Sequence, residues 1–156
     1  MARAIRLALF PLLLLLSACV PPLEGVPVSG PFPPPAPGMA RLVIYRTLAY
    51  YDSTAQLPVY LNGETVGISQ NGAVFYRDVV PGPYEIAVYS PRPYPNQFKT
   101  VVPRAGDVFY VRIDTLPKPP CTRVPGDICY DDAYIVTLVD PYTGFQQVQG
   151  TRLITG

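Results

Sequence analysis

Three kinds of side chain in this sequence can do chemistry: cysteines, a knot of aspartates and a large set of tyrosines. Histidine is absent. That removes the usual general base and the commonest metal ligand, and with them any Ser-His-Asp or Cys-His nucleophile. Carboxylates, lysine or tyrosine remain open to catalysis, but no pattern selects one, so no catalytic residue is expected and the chain reads as a non-enzyme. Cys121 and Cys129 bracket a seven-residue interval containing Pro125-Gly126. In an exported protein such a pair is most simply a disulfide, and closing so small a loop stabilises by roughly 2–3 kcal/mol. Zinc asks for more ligands than two cysteines without histidine supply, and the spacing is not the Cys-x-x-Cys of a redox pair. Asp127, Asp131 and Asp132 offer oxygens to calcium. Their spacing is not that of an EF-hand loop, and aspartate collects in loops because it suits turns. No metal and no cofactor is expected.

The tyrosines point to a surface rather than to a reaction. Tyr50 and Tyr51 share one loop with Tyr45 close by, and Tyr89 and Tyr94 flank another. A rigid amphipathic ring adds contact area at little entropic cost, and stacking on sugar rings is one use. Tyrosine is also a favoured strand residue. Tyr50, Tyr51, Tyr89 and Tyr94 are the expected ligand surface.

The third cysteine, Cys19, takes its meaning from its neighbours. Arg3 and Arg6 precede an apolar run from Leu7 to Leu16, and the run closes on Leu16-Ser17-Ala18-Cys19. A positive start, a leucine-rich middle and small residues at the end make a secretory signal. The run is too short to span a bilayer, which takes roughly 20 residues. Leu16-Ser17-Ala18-Cys19 resembles the lipobox of bacterial lipoproteins. The resemblance implies that residues 1–18 are a signal peptide removed before Cys19, that the Cys19 thiol carries a diacylglycerol, and that its new amino group is acylated. Two or three acyl chains anchor stably, where one binds only marginally. Val20 follows Cys19, so the aspartate of inner-membrane retention is missing. The expected address is the outer membrane of a bacterial envelope, facing the periplasm.

Removing Arg3 and Arg6 leaves ten basic against eleven acidic residues. No basic face emerges, so nucleic acid is not an expected partner, nor is anionic lipid through a polybasic patch. Residues 19–38 read as the lipidated cysteine and a tether. Eight of the nineteen residues from Val20 to Gly38 are proline, which forbids helix and central strand and favours an extended polyproline path. Such a tether reaches roughly 60 Å.

Residues 39–156 then read as one β domain. Short alternating segments run Arg41–Arg46, Leu57–Leu61, Val66–Ser69, Ala73–Asp78, Tyr84–Tyr89, Phe98–Val102, Val108–Ile113 and Tyr134–Val139. Asn62-Gly63 and Asn71-Gly72 are strong hairpin signals, and they predict an antiparallel meander of the second, third and fourth segments. Pro141-Tyr142-Thr143-Gly144 reads as a turn, and Phe145–Ile154 as weakly β. No window shows helical periodicity. Roughly seven or eight short strands predict an all-β, antiparallel β-sandwich.

Val59-Tyr60-Leu61-Asn62-Gly63, Val66-Gly67, Val79-Val80-Pro81-Gly82-Pro83-Tyr84 and Ala105-Gly106-Asp107-Val108-Phe109-Tyr110-Val111 resemble the DUF2846 family of bacterial lipoproteins. PEGA-type and carboxypeptidase-regulatory-like sandwich domains share related patterns. The resemblance implies a transthyretin- or immunoglobulin-like sandwich and carries no catalytic residues with it. Together these readings predict a lipid-anchored envelope protein with a structural or interaction domain, meeting envelope proteins or cell-wall glycan. A carbohydrate- or peptidoglycan-binding module is the alternative.

Overall fold

The structure is a computed structural model and describes residues 25–49, 54–118 and 131–155. Arg41-Leu42-Val43-Ile44-Tyr45 shows why the chain forms two sheets rather than one. This near-continuous apolar run becomes β2 (Ala40–Tyr45), buried at all six positions. Leu42 and Ile44 face one core while Val43 and Tyr45 face a second on the opposite side. A strand buried on both faces lies at the centre of a sheet with layers above and below.

Around it are β1 (Val26–Pro27), β3 (Gln56–Leu61), β4 (Glu64–Gln70), β5 (Ala73–Val79), β6 (Tyr84–Val88), β7 (Phe98–Val101), β8 (Val108–Leu116), β9 (Ala133–Val139) and β10 (Arg152–Leu153). They make a six-stranded sheet in the order β1-β10-β5-β2-β8-β9 and a four-stranded sheet in the order β4-β3-β6-β7. The inner faces meet in the main core, where Leu42, Ile44, Phe75 and Val111 of the large sheet join Val59 and Ile86 of the small one. The all-β expectation holds. Antiparallel pairing does not hold throughout, because β2 pairs with β8, and β5 with β10, in parallel. Between β2 and β8 the chain builds the whole small sheet, so β8 returns in the direction of β2.

The two Asn-Gly turns behave differently. At Asn62-Gly63 both residues have positive φ, 49° and 84°, as a type I′ hairpin requires, and β3 pairs antiparallel with β4. At Asn71-Gly72 only Gly72 is left-handed, with φ 70°. The expected third strand of the meander, β5, leaves the small sheet there and pairs with β2. Buried Asn71 spends its amide on a loop instead: its Oδ1 accepts from Ala49 N at 2.8 Å and its Nδ2 donates to Ala49 O at 2.7 Å. The strong burial of β5 explains the crossing, since its apolar side chains fill both faces of the large sheet.

The chain end is helical, contrary to the turn and weak strand expected there. Helix α1 (Pro141–Val148) starts on Asp140, whose Oδ1 accepts from Thr143 N at 3.0 Å. Pro141 fills the first turn, where an N–H has no partner anyway. The helix lies against the outer face of the large sheet, and Val148 is buried in the second core with Tyr45 and Tyr110. Gly144 makes that approach possible. A Cβ there would stand 2.3 Å from Tyr110 Cγ.

Residues 25–38, expected within the tether, form a strap on the same outer face. β1 pairs with β10, and Val28 is buried and exchanges backbone hydrogen bonds with Gly150 and Thr151. The Phe32 ring meets Tyr76 edge-on at 5.5 Å. Arg41 then clamps the proline run. Its Nη1 donates to the Pro33 carbonyl, its Nε and Nη2 donate to Asp78 at 2.6 and 2.8 Å, and its guanidinium lies 4.0 Å over the Tyr76 ring. Asp78 also accepts from Ala36 N at 3.0 Å.

Candidate functional site

One sheet face is covered by no described element: the outer face of the small sheet. Alternation builds it. Leu57, Val59 and Leu61 of β3 and Ile86 and Val88 of β6 point into the main core, so Pro58, Tyr60, Ala87 and Tyr89 point the other way. The register sets Tyr60 opposite Ala87 and Ala87 opposite Phe98. Pro58 lies beside Tyr89, whose N–H donates to its carbonyl at 3.0 Å. Tyr60 and Phe98 therefore flank Ala87 across two strand spacings, their backbones about 10 Å apart. Tyr89 stands one pleat further along. Phe98 is 57% exposed and Tyr89 52%. Gln56, Thr65, Glu85 and Thr100 border them, all exposed.

The loop after β6 is fixed to the neighbouring sheet, which keeps Tyr89 and Phe98 in place. Ser90 Oγ accepts from Tyr134 N at 3.1 Å, and the Asn96 carbonyl accepts from Val136 N at 2.8 Å. Both donors belong to edge strand β9, so the same bonds blunt an edge otherwise open to pairing. Asn96 takes a left-handed φ of 68°.

Of the expected ligand surface, Tyr89 is on this face. Tyr94 is exposed in the adjoining loop, with the Arg92 guanidinium 5.6 Å over its ring. Tyr50 and Tyr51 lie outside the described residues, as do Cys19, Cys121, Cys129 and Asp127. Asp132 caps the end of β8 by accepting from Lys118 N at 2.7 Å. Among the described residues no three His, Cys, Asp or Glu side chains gather as metal ligands, and no helix is long and apolar enough to cross a membrane. Tyr60 and Phe98 were missed by sequence reasoning. The signal for them is strand parity, which becomes usable once β6 and β7 are paired.

A second polar constellation lies where α1 ends. Tyr45 Oη donates to Gln147 Oε1 at 2.6 Å, and Arg112 Nη1 donates to the same oxygen at 3.1 Å. Arg112 also grips Asp114, which accepts from Thr137 Oγ1 at 2.7 Å. Burial pushes the Tyr45 phenol up to about 12, against the opposing pull of Arg112. A phenol held so firmly protonated is a hydrogen-bond donor and not a base at neutral pH. Gln147 also lines a shallow cleft of about 330 Å³ with Thr47, Leu48 and Arg152. Gln147 Oε1 and the Asp114 carboxylate each accept from two members of the network, and the arrangement pins the helix to the sheet.

The fold and these surfaces define an all-β protein of two open sheets with one short helix among the described residues. The chain belongs to the family described as "Protein of unknown function (DUF2846)", whose profile matches residues 36–125, more than half of the sequence. The match bears out the resemblance carried by the Val59–Gly63 and Ala105–Val111 motifs. It begins within the strap and ends beyond β8, leaving β9, α1 and β10 outside. No curated protein and no solved structure matches the chain.

Proposed function

We propose that this chain is a lipid-anchored protein of the bacterial envelope whose β domain is a non-enzymatic structural or interaction module. The observation that carries the anchor is Leu16-Ser17-Ala18-Cys19 at the close of an apolar run. In this reading residues 1–18 are removed and Cys19 is acylated. Val20 in the next position favours the outer membrane, with the domain facing the periplasm. Cys121 and Cys129 are paired as a disulfide, as suits an oxidising compartment. The core shared by the two sheets supports reading the fold as a sandwich of transthyretin- or immunoglobulin-like type, related to PEGA domains. The lack of histidine supports a non-catalytic role.

The second reading, a carbohydrate- or peptidoglycan-binding module, is favoured by the exposed rings of Tyr89 and Phe98 on one sheet face. The anchor is tested by fractionating cells that express the wild type and Cys19→Ala. The wild type should sediment with membranes and incorporate labelled palmitate, and Cys19→Ala should do neither. A Cys19→Ala protein that stays in the membrane fraction refutes the lipid anchor.

A further inference from the structure

We infer that the outer face of the four-stranded sheet is a platform for a linear, uncharged glycan strand, with Tyr60, Tyr89 and Phe98 as its stacking rings. The inference rests on the second reading above and names its site. The opposite sheet shows what a structural face looks like in this molecule: its outer side is roofed by α1 and the strap. The small sheet's outer side has no roof among the described residues, yet it carries three aromatic rings around Ala87. Apolar patches of this size on a monomer are often functional.

Charge and area select the partner. Glu85 is the one charged side chain on the outward-facing positions of β3, β6 and β7. Nothing there complements a nucleic acid, an anionic lipid or a charged peptide. Four strands at about 4.8 Å spacing and five residues at about 3.3 Å rise give a face of about 300 Å². Two copies packed face to face would bury about 600 Å² in total, well short of the roughly 1,200 Å² of a stable interface. A narrow ligand suffers no such shortfall. The backbones of Tyr60 and Phe98 are about 10 Å apart, close to the span of a disaccharide, so alternate sugars of one chain can each lie on a ring. The C–H faces of sugars stack on aromatic rings, while Gln56, Thr65 and Thr100 present amide and hydroxyl groups to the sugar hydroxyls at the border.

The test uses the full mature chain in nanodiscs, titrated calorimetrically with chitotetraose, a neutral four-sugar strand, and separately sedimented with purified sacculi. Wild type should bind both. Tyr89→Ala and Phe98→Ala should each weaken chitotetraose binding roughly tenfold or more, with unchanged circular dichroism. Tyr142→Ala, which removes a ring that is 76% exposed on α1, should bind as wild type. No binding of chitotetraose by wild type overturns the platform, and so does binding to sacculi alone, which would assign the partner to stem peptide. A concentration-dependent dimer abolished by Phe98→Ala, without glycan binding, gives the face to a second copy and also overturns it. Chitotetraose binding that survives both Tyr89→Ala and Phe98→Ala refutes the platform and leaves the glycan-binding reading standing; no binding to chitotetraose or to sacculi refutes both.

Discussion

Asp78→Asn is the substitution whose consequence follows most fully from the geometry. Arg41 is 4% exposed, and its charge is balanced through two hydrogen bonds to Asp78 at 2.6 and 2.8 Å. Removing one partner of a buried pair costs about 3–5 kcal/mol, because the other charge is left uncompensated. The Asp78 side chain is 22% exposed, so water softens the loss to about 2–3 kcal/mol. At about 4 °C per kcal/mol for a domain of this size, Tm should fall by about 8–12 °C. The strap should loosen first, since Asp78 also holds Ala36 N. Circular dichroism melts give the first quantity, and hydrogen exchange at Val28 N and Ala36 N gives the second. Hydrogen bonds from Arg41, helped by Ala36 N, hold the Asp78 carboxyl below the usual carboxylate range. Its folded value being depressed, the pair's contribution is fully present above the unfolded value near 3.9 and is lost as pH falls through the lower folded value. Wild type should show this acid limb and Asp78→Asn should lack it. Arg41→Met combined with Asp78→Leu should be milder than Asp78→Asn, because no buried charge is orphaned. An Asp78→Asn protein melting within about 2 °C of wild type, its strap still protected, would refute the clamp.

Gly144→Ala should destabilise although alanine favours helix by about 1 kcal/mol. The new Cβ would fall 2.3 Å from Tyr110 Cγ, and such overpacking costs about 1–3 kcal/mol. A urea midpoint equal to or above wild type would contradict the close approach. Asn71→Ala strips the partners from Ala49 N and O and should cost about 1–3 kcal/mol. Hydrogen exchange at Ala49 should accelerate with it, and unchanged protection there would count against Asn71 as the anchor of that loop.

The sequence made strands legible wherever one face is buried and the other wet. Tyr84–Tyr89 alternates plainly, and the structure has β6 there. What hid was the second layer. β2 is buried on both faces, so its run shows no alternation, and nothing local says which segments cover its outer side. The cover comes from a proline-rich strap and a helix distant in sequence. Local signals do exist for both. Asp140-Pro141 pairs a capping residue with the residue favoured at a helix's first position, and Val26, Val28 and Phe32 are apolar in a segment otherwise read as spacer. Asn71-Gly72 misled because its hairpin signal presumes that both residues turn left-handed, whereas burial of β5 against β2 dictated a crossing between sheets. Of the proposed platform, Tyr89 was singled out from its type and loop position. Tyr60 and Phe98 needed the pairing of β3, β6 and β7, a non-local fact.

Intact mass spectrometry of the chain purified from its own membranes decides whether Cys19 anchors this domain. The polypeptide should begin at Cys19 and be heavier than residues 19–156 by a diacylglycerol and an amide-linked acyl chain, less two mass units for a Cys121–Cys129 disulfide. A chain that retains residues 1–18, or one that begins at an unmodified Cys19, would contradict the anchor.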